Sequence, residues 1–314
     1  MTRLLLNRLA TPTLTCIVLV ANICIGAASA QTFGADPPQK ADPAATAPLP
    51  AAFRDGLVFV KVAINGRPGA WMELDTGTSP SIVVPAYARA VGLTLIAKGK
   101  ATEGFGSERI ETFTTSVVML RTGHESTRAV EFESIELPGM AGPDAQPLPG
   151  LLGQSFLAGR IVVVDYQNQK LFFSDMPEAN DSIDVPMTLV EGVPLVRIAL
   201  DGHEVSALID TGGTYGLLVT PQALKQTGLE QYLELSKKVG TTGHGGEQAA
   251  TVGKAPIVTL GGVAIHDLTA VYTSLGTTTV PAGASLGKDF LKHFRVTLNY
   301  ASGSARFESN KPGH

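Results

Sequence analysis

The chain carries an internal repeat, and that repeat limits the folds open to it more than any other feature. GLVFVKVAINGRPGAWMELDTG, from Gly56, parallels GVPLVRIALDGHEVSALIDTG, from Gly192. Each copy has an alternating apolar run, a turn at Asn65-Gly66 or Asp201-Gly202, and a second apolar run that ends in Asp-Thr-Gly. Alternation with period two, broken by Asn-Gly or Asp-Gly, predicts a β-hairpin in each half. The parallel continues: VPAYARAVGL at Val84 matches TPQALKQTGL at Thr220, a short helix with Pro in its first turn and Gly92 or Gly228 closing it. Further on, LLGQSFLAGRIVVVDYQNQKLFF at Leu151 matches SLGKDFLKHFRVTLNYASGSARF at Ser285. The offset is 135 from Asp75 to Asp210, 136 from Pro85 to Pro221 and 134 from Gly153 to Gly287, so register holds throughout. One Asp-Thr-Gly is expected by composition in roughly 5% of chains this long; two at matched places in a repeat are not coincidence.

A chain of 314 residues has room for two domains with a sizeable core. With 34 Gly, 20 Pro and only 17% charged residues it suits short strands and many turns. The expected fold is all-β, two pseudo-twofold-related barrel-like lobes, each with a short helix, at 53–180 and 181–314. Ahead of them, Arg3 and Arg8, an apolar run from about Leu14 and Ala28-Ser29-Ala30 read as a signal peptide over 1–30. Residues 31–52, rich in Pro and Ala, read as a disordered lead-in. Export to the periplasm or beyond is expected, with no lasting membrane span once the signal is removed. Both cysteines, Cys16 and Cys24, fall inside that signal, so core packing rather than disulfides must hold the mature chain. Cleavage leaves 22 basic residues (24 less Arg3 and Arg8) against 28 acidic ones, a net −6. That balance offers nucleic acid no basic patch.

Two lobes packed about a pseudo-twofold axis bring Asp75 and Asp210 face to face. Close carboxylates do not both ionise cheaply, so one keeps its proton while the other is charged. Such a pair is acid and base at once: it can deprotonate a water and hydrogen-bond a scissile carbonyl, with no cofactor, metal or covalent adduct. Thr76 and Thr211 can tie the loops across the axis, while Gly77 and Gly212 let backbone N–H groups approach the carboxylates. The hydroxyl of Thr78 can support Asp75, but the matching residue is Gly213.

On these residues the sequence resembles the aspartic peptidases of the pepsin and retropepsin superfamily, across roughly 53–310. The resemblance extends to the apolar-apolar-Gly element of that family, here Leu151-Leu152-Gly153 and Ser285-Leu286-Gly287. LLGQSFL and the strands after it are most similar to retropepsin-type bacterial proteins, with both halves in one chain. The resemblance implies an aspartic-type endopeptidase, Asp75 and Asp210 as its catalytic pair, a peptide or protein substrate, and a monomer whose lobes pair internally. It also implies flaps, for which Gly104, Phe105 and Gly106, and Gly243, His244 and Gly245, are the candidate tips; Phe105 and Tyr215 are candidate pocket residues. Family members usually have Ser, Thr or Ala where this chain has Gly213, which keeps open a peptide-binding module that does not cleave.

Other signals are weaker. Gly283-Ala284-Ser285-Leu286-Gly287 fits G-x-S-x-G, but TTTVPA before it is not the apolar strand that a nucleophile elbow follows. The six histidines show no metal-ligand spacing. Ile82, Val83, Leu217 and Leu218 read as strand core, and Glu73 as an outward strand residue.

Overall fold

The computed structural model describes residues 16–17, 47–102, 109–117, 119–127, 130–173, 182–243, 246–275 and 280–309. The expected domain boundary at 180/181 and nearly all of 1–46 lie outside the described residues; within that stretch the two-residue strand Cys16–Ile17 pairs with Lys237–Gly243. No helix among the described residues is long and apolar enough to cross a membrane.

Strands dominate, and they form the same pattern in each half. The hairpin expected from the alternating runs is Leu57–Ile64 against Ala70–Leu74, and Val193–Leu200 against His203–Ile209. At both turns two successive residues take positive φ: 50° and 72° at Asn65 and Gly66, 46° and 86° at Asp201 and Gly202. Asn, Asp and Gly tolerate that conformation best. The Asn65 side chain also donates to the Val91 carbonyl (3.2 Å), fastening the turn to the end of the following helix.

That helix is Pro85–Ala90 in the first half and Pro221–Thr227 in the second. Pro opens each because the first helical N–H has no partner to lose. Thr220 caps the second through its hydroxyl, which accepts from the Ala223 N–H (3.1 Å), and Gly228 closes it at φ 72°.

Each half then returns a short strand to its own centre. Gly150–Leu152 lies between Ala70–Leu74, in parallel, and Ser81–Val83, antiparallel. Ala284–Leu286 does the same between His203–Ile209 and Leu217–Val219. The halves are joined by a ladder, since Ile161–Asp165 from the first pairs with Phe294–Asn299 from the second.

These central sheets are buried on both faces. Val58, Val60, Val62, Met72 and Leu74 enter a core shared with Val196, Ile198 and Ile209 of the other half. The opposite faces carry separate apolar clusters, Phe59, Ile82, Leu148 and Leu151 in one lobe and Val193, Leu195, Leu208 and Leu218 in the other. Each such side chain contributes roughly 1.5–3 kcal/mol by leaving water.

Candidate active site

The two Asp-Thr-Gly segments leave their strands at equivalent points. The Asp75 N–H donates to Leu152 O (3.1 Å) and the Asp210 N–H to Leu286 O (3.0 Å), so the returning strand holds each aspartate in place. Beyond it the chain turns sharply: Gly77 N–H donates to Asp75 Oδ1 (2.8 Å) and Gly212 N–H to Asp210 Oδ1 (3.1 Å). The Thr78 hydroxyl donates to Asp75 Oδ2 at 2.6 Å.

The threonines cross the axis. Thr76 N–H donates to Thr211 Oγ1 (3.1 Å) and Thr211 N–H to Thr76 Oγ1 (3.0 Å). Each hydroxyl then donates onward into the opposite strand, Thr76 to Ile209 O and Thr211 to Leu74 O, both at 2.6 Å. Both hydroxyls therefore accept and donate, so that each threonine ties its own loop to the other lobe by two bonds.

The glycines determine how near the loops come. A Cβ on Gly77 would stand 3.0 Å from Asp210 Oδ1, and one on Gly212 would stand 2.7 Å from Asp75 Cγ. Only a residue without a side chain lets each loop rest against the opposite carboxyl. Asp75 and Asp210 are consequently in hydrogen-bonding reach of one another, and neither exposes surface to solvent.

Burial is the main influence on both acids, because removing a carboxylate from water disfavours its charged form. The Asp75 carboxyl is raised to about 6, with the Thr78 hydroxyl and Gly77 N–H partly offsetting burial. Asp210 is raised well above the usual range, by burial first and then by the negative charge of Asp75, against the pull of Tyr215 and Gly212. The pair titrates as a unit in which Asp75 ionises first.

A model of the aspartyl protease family matches residues 60–156 and 196–290, one match around each Asp-Thr-Gly. The chain belongs to the aspartyl protease family. No curated protein matches it. The paired match agrees with the two-lobed, retropepsin-like architecture, because each half carries a match of its own.

In this aspartyl protease scaffold the remaining candidates fall in several places. Hairpins stand where flaps were expected: Ile96–Thr102 pairs with Arg109–Ser116, and Lys237–Gly243 with Gly246–Lys254, bringing Gly243 opposite Gly246. The tips Gly104, Phe105, Gly106, His244 and Gly245 lie outside the described residues. Tyr215, expected on a pocket wall, is buried with its hydroxyl 2.6 Å from Asp210 Oδ2. Ser285 is fully buried in the strand Ala284–Leu286 and lies 2.8 Å from the Tyr215 hydroxyl, not at a strand-to-helix elbow. Among the described residues no group of His, Cys, Asp or Glu is placed to hold a metal ion.

Glu73 overturns its expectation. It is 2% exposed, paired across the ladder with Phe59 and Leu151, because the face that the alternation assigns to solvent is covered by the second apolar cluster. Burial and the charges of Asp75 and Asp210 push its carboxyl well above the usual range. The signal for it was in the repeat, where its counterpart is Leu208, a core residue. A carboxyl raised on folding contributes stability that is full below its unfolded pKa and is lost as pH rises through the folded one. Glu73→Leu is therefore expected to stabilise the protein by on the order of 1–3 kcal/mol at pH 8, and by less at pH 5. Urea denaturation at the two pH values checks this; an equal effect at both would mean that the cost is not ionisation.

Proposed function

We propose that this protein is an exported aspartic endopeptidase that hydrolyses peptide bonds with a water activated between Asp75 and Asp210. The observation that carries this reading is the buried carboxyl pair, held face to face by the crossed Thr76 and Thr211 bonds and approached by Gly77 and Gly212. Asp75, first to ionise, is the base that takes a proton from the water; Asp210, which retains its proton, is the acid that hydrogen-bonds the scissile carbonyl. Water attack gives a tetrahedral intermediate, and its collapse passes a proton to the leaving amine. No covalent enzyme adduct forms, and the pair returns to its singly protonated state. The substrate is a peptide or protein segment, bound by a monomer whose lobes supply one aspartate each. The periplasm is the proposed location, from the leader at 1–30.

Mass spectrometry of a diverse peptide library incubated with the secreted protein, beside Asp75→Asn, tests the reading. Cleavage lost in the variant supports it; folded protein that cleaves nothing at any pH moves the weight to a peptide-binding role. The pH profile is a sharper check. Activity should rise as Asp75 ionises near pH 6 and fall only when Asp210, raised well above the usual carboxylate range, gives up its proton. A peptidase most active below pH 4 would contradict this assignment of base and acid.

A further inference from the structure

Among the equivalent positions around the pair at which the two lobes differ, three act together. Thr78, Pro80 and Leu151 in the first are Gly213, Tyr215 and Ser285 in the second. In the first lobe Thr78 Oγ1 donates to Asp75 Oδ2 at 2.6 Å. In the second, Gly213 has no hydroxyl to offer, yet Asp210 Oδ2 receives a bond of the same 2.6 Å length from Tyr215, two residues further along. A Cβ on Gly213 would stand 2.7 Å from Tyr215 Cζ, 2.8 Å from its hydroxyl oxygen and 2.8 Å from Asp210 Oδ2. The phenol occupies the space that a side chain at 213 would need.

We infer that Tyr215 is a positioning residue for Asp210, replacing in the second lobe the hydroxyl that Thr78 supplies in the first, and that Gly213 is the vacancy it requires. The inference rests on the aspartic-pair reading above and goes beyond it, because it makes the lobes chemically unequal. Ser285 completes the arrangement. A phenol has one hydrogen; with that directed to Asp210, the Ser285 hydroxyl at 2.8 Å can donate to the phenolic oxygen and polarise it further. The apolar counterpart, Leu151, has no such function because the first lobe has no tyrosine to hold. The ring is fixed from behind as well, since a Cβ on Gly287 would meet Tyr215 O at 2.4 Å and its Cδ2 at 2.7 Å. Gly213 therefore records a trade of hydroxyl donors and not a loss of support.

The functional consequence is separate control of the two protonation steps. A hydrogen bond donated to a carboxylate favours its charged form. Thr78 lowers the step that creates the base, and Tyr215 lowers the step at which Asp210 surrenders the acid proton. Each limb of the pH profile is thus set by a different hydroxyl from a different lobe.

Tyr215→Phe retains the ring and the packing and removes only the donor. It is expected to lower kcat/KM roughly ten- to a hundredfold and to move the alkaline limb to higher pH by about one unit, with the acid limb little changed. Thr78→Val should move the acid limb upward instead. Gly213→Thr should inactivate by collision with the ring, and Gly213→Thr combined with Tyr215→Ala should recover activity over Gly213→Thr alone. Infrared titration of the protonated-carboxyl band, with Asp210→Asn as reference, reads the same shift without cleavage. An unmoved Asp210 step in Tyr215→Phe, or a tolerated Gly213→Thr, overturns the inference while leaving the aspartic pair intact. Full turnover by Asp75→Asn would instead overturn the pair itself.

Discussion

Asp75→Asn and Asp210→Asn are each expected to lower kcat/KM on a cleaved peptide by at least about a thousandfold, and at the same time to raise thermal stability at pH 8. The amide retains the geometry: its oxygen accepts from Gly77 or Gly212, and at position 75 its NH2 group can donate to the Thr78 hydroxyl. What it cannot do is exchange a proton with water, so the chemistry stops. The gain in stability follows from the direction of the shifts. Both carboxyls are raised on folding, so the folded protein holds protons that the unfolded chain releases. The associated stability is full below about pH 4 and for Asp75 is lost as pH rises through about 6. Asparagine suffers no such loss. At pH 8 the gain should be roughly 1–3 kcal/mol, or a few degrees in Tm for a protein of this size, and it should shrink toward pH 4. Calorimetry at the two pH values decides the point. A variant that unfolds more easily than the parent at pH 8 would show that the carboxylates stabilise the site, and near-full turnover by either variant would remove the shared-pair mechanism.

The crossed threonines carry the largest structural effect. Thr211→Val keeps shape and volume but leaves Leu74 O and the Thr76 N–H buried without their present partners. Each unsatisfied group costs about 1–3 kcal/mol, so a loss of about 2–5 kcal/mol is expected. Thr76→Val should match it through Ile209 O and the Thr211 N–H. Because both substitutions break one network, the double variant should lose less than the two single losses added together. Activity should fall with stability, since a small displacement of either carboxyl spoils the geometry for water attack. Thr211→Ser, which retains the hydroxyl, should behave almost as the parent. Urea unfolding of the three valine variants and the serine control provides the test; strict additivity would mean that the two threonines act independently and that the loops are held by something else.

Much of this molecule is readable from local pattern. The hairpins, the Pro-initiated helices, the two Asp-Thr-Gly loops and the likeness of the halves follow from period-two alternation, turn chemistry and the repeat. These are short-range preferences that the residues carry wherever they are placed. The crossed threonines were also within reach, because pairing two equivalent loops about an axis leaves their hydroxyls little else to meet. Two features were decided only by tertiary packing. Alternation marks one face of a strand as apolar and leaves the other to solvent, yet here a second cluster covers the other face, so Glu73 is buried beside two further acids. Similarly, Gly213 alone reads as a missing hydroxyl, whereas the fold carries the Tyr215 phenol back into the space that glycine leaves. That two carboxylates would meet is written in the repeat; how far each is pushed from its ordinary pKa depends on burial and on donors brought in by the fold, which no local pattern encodes.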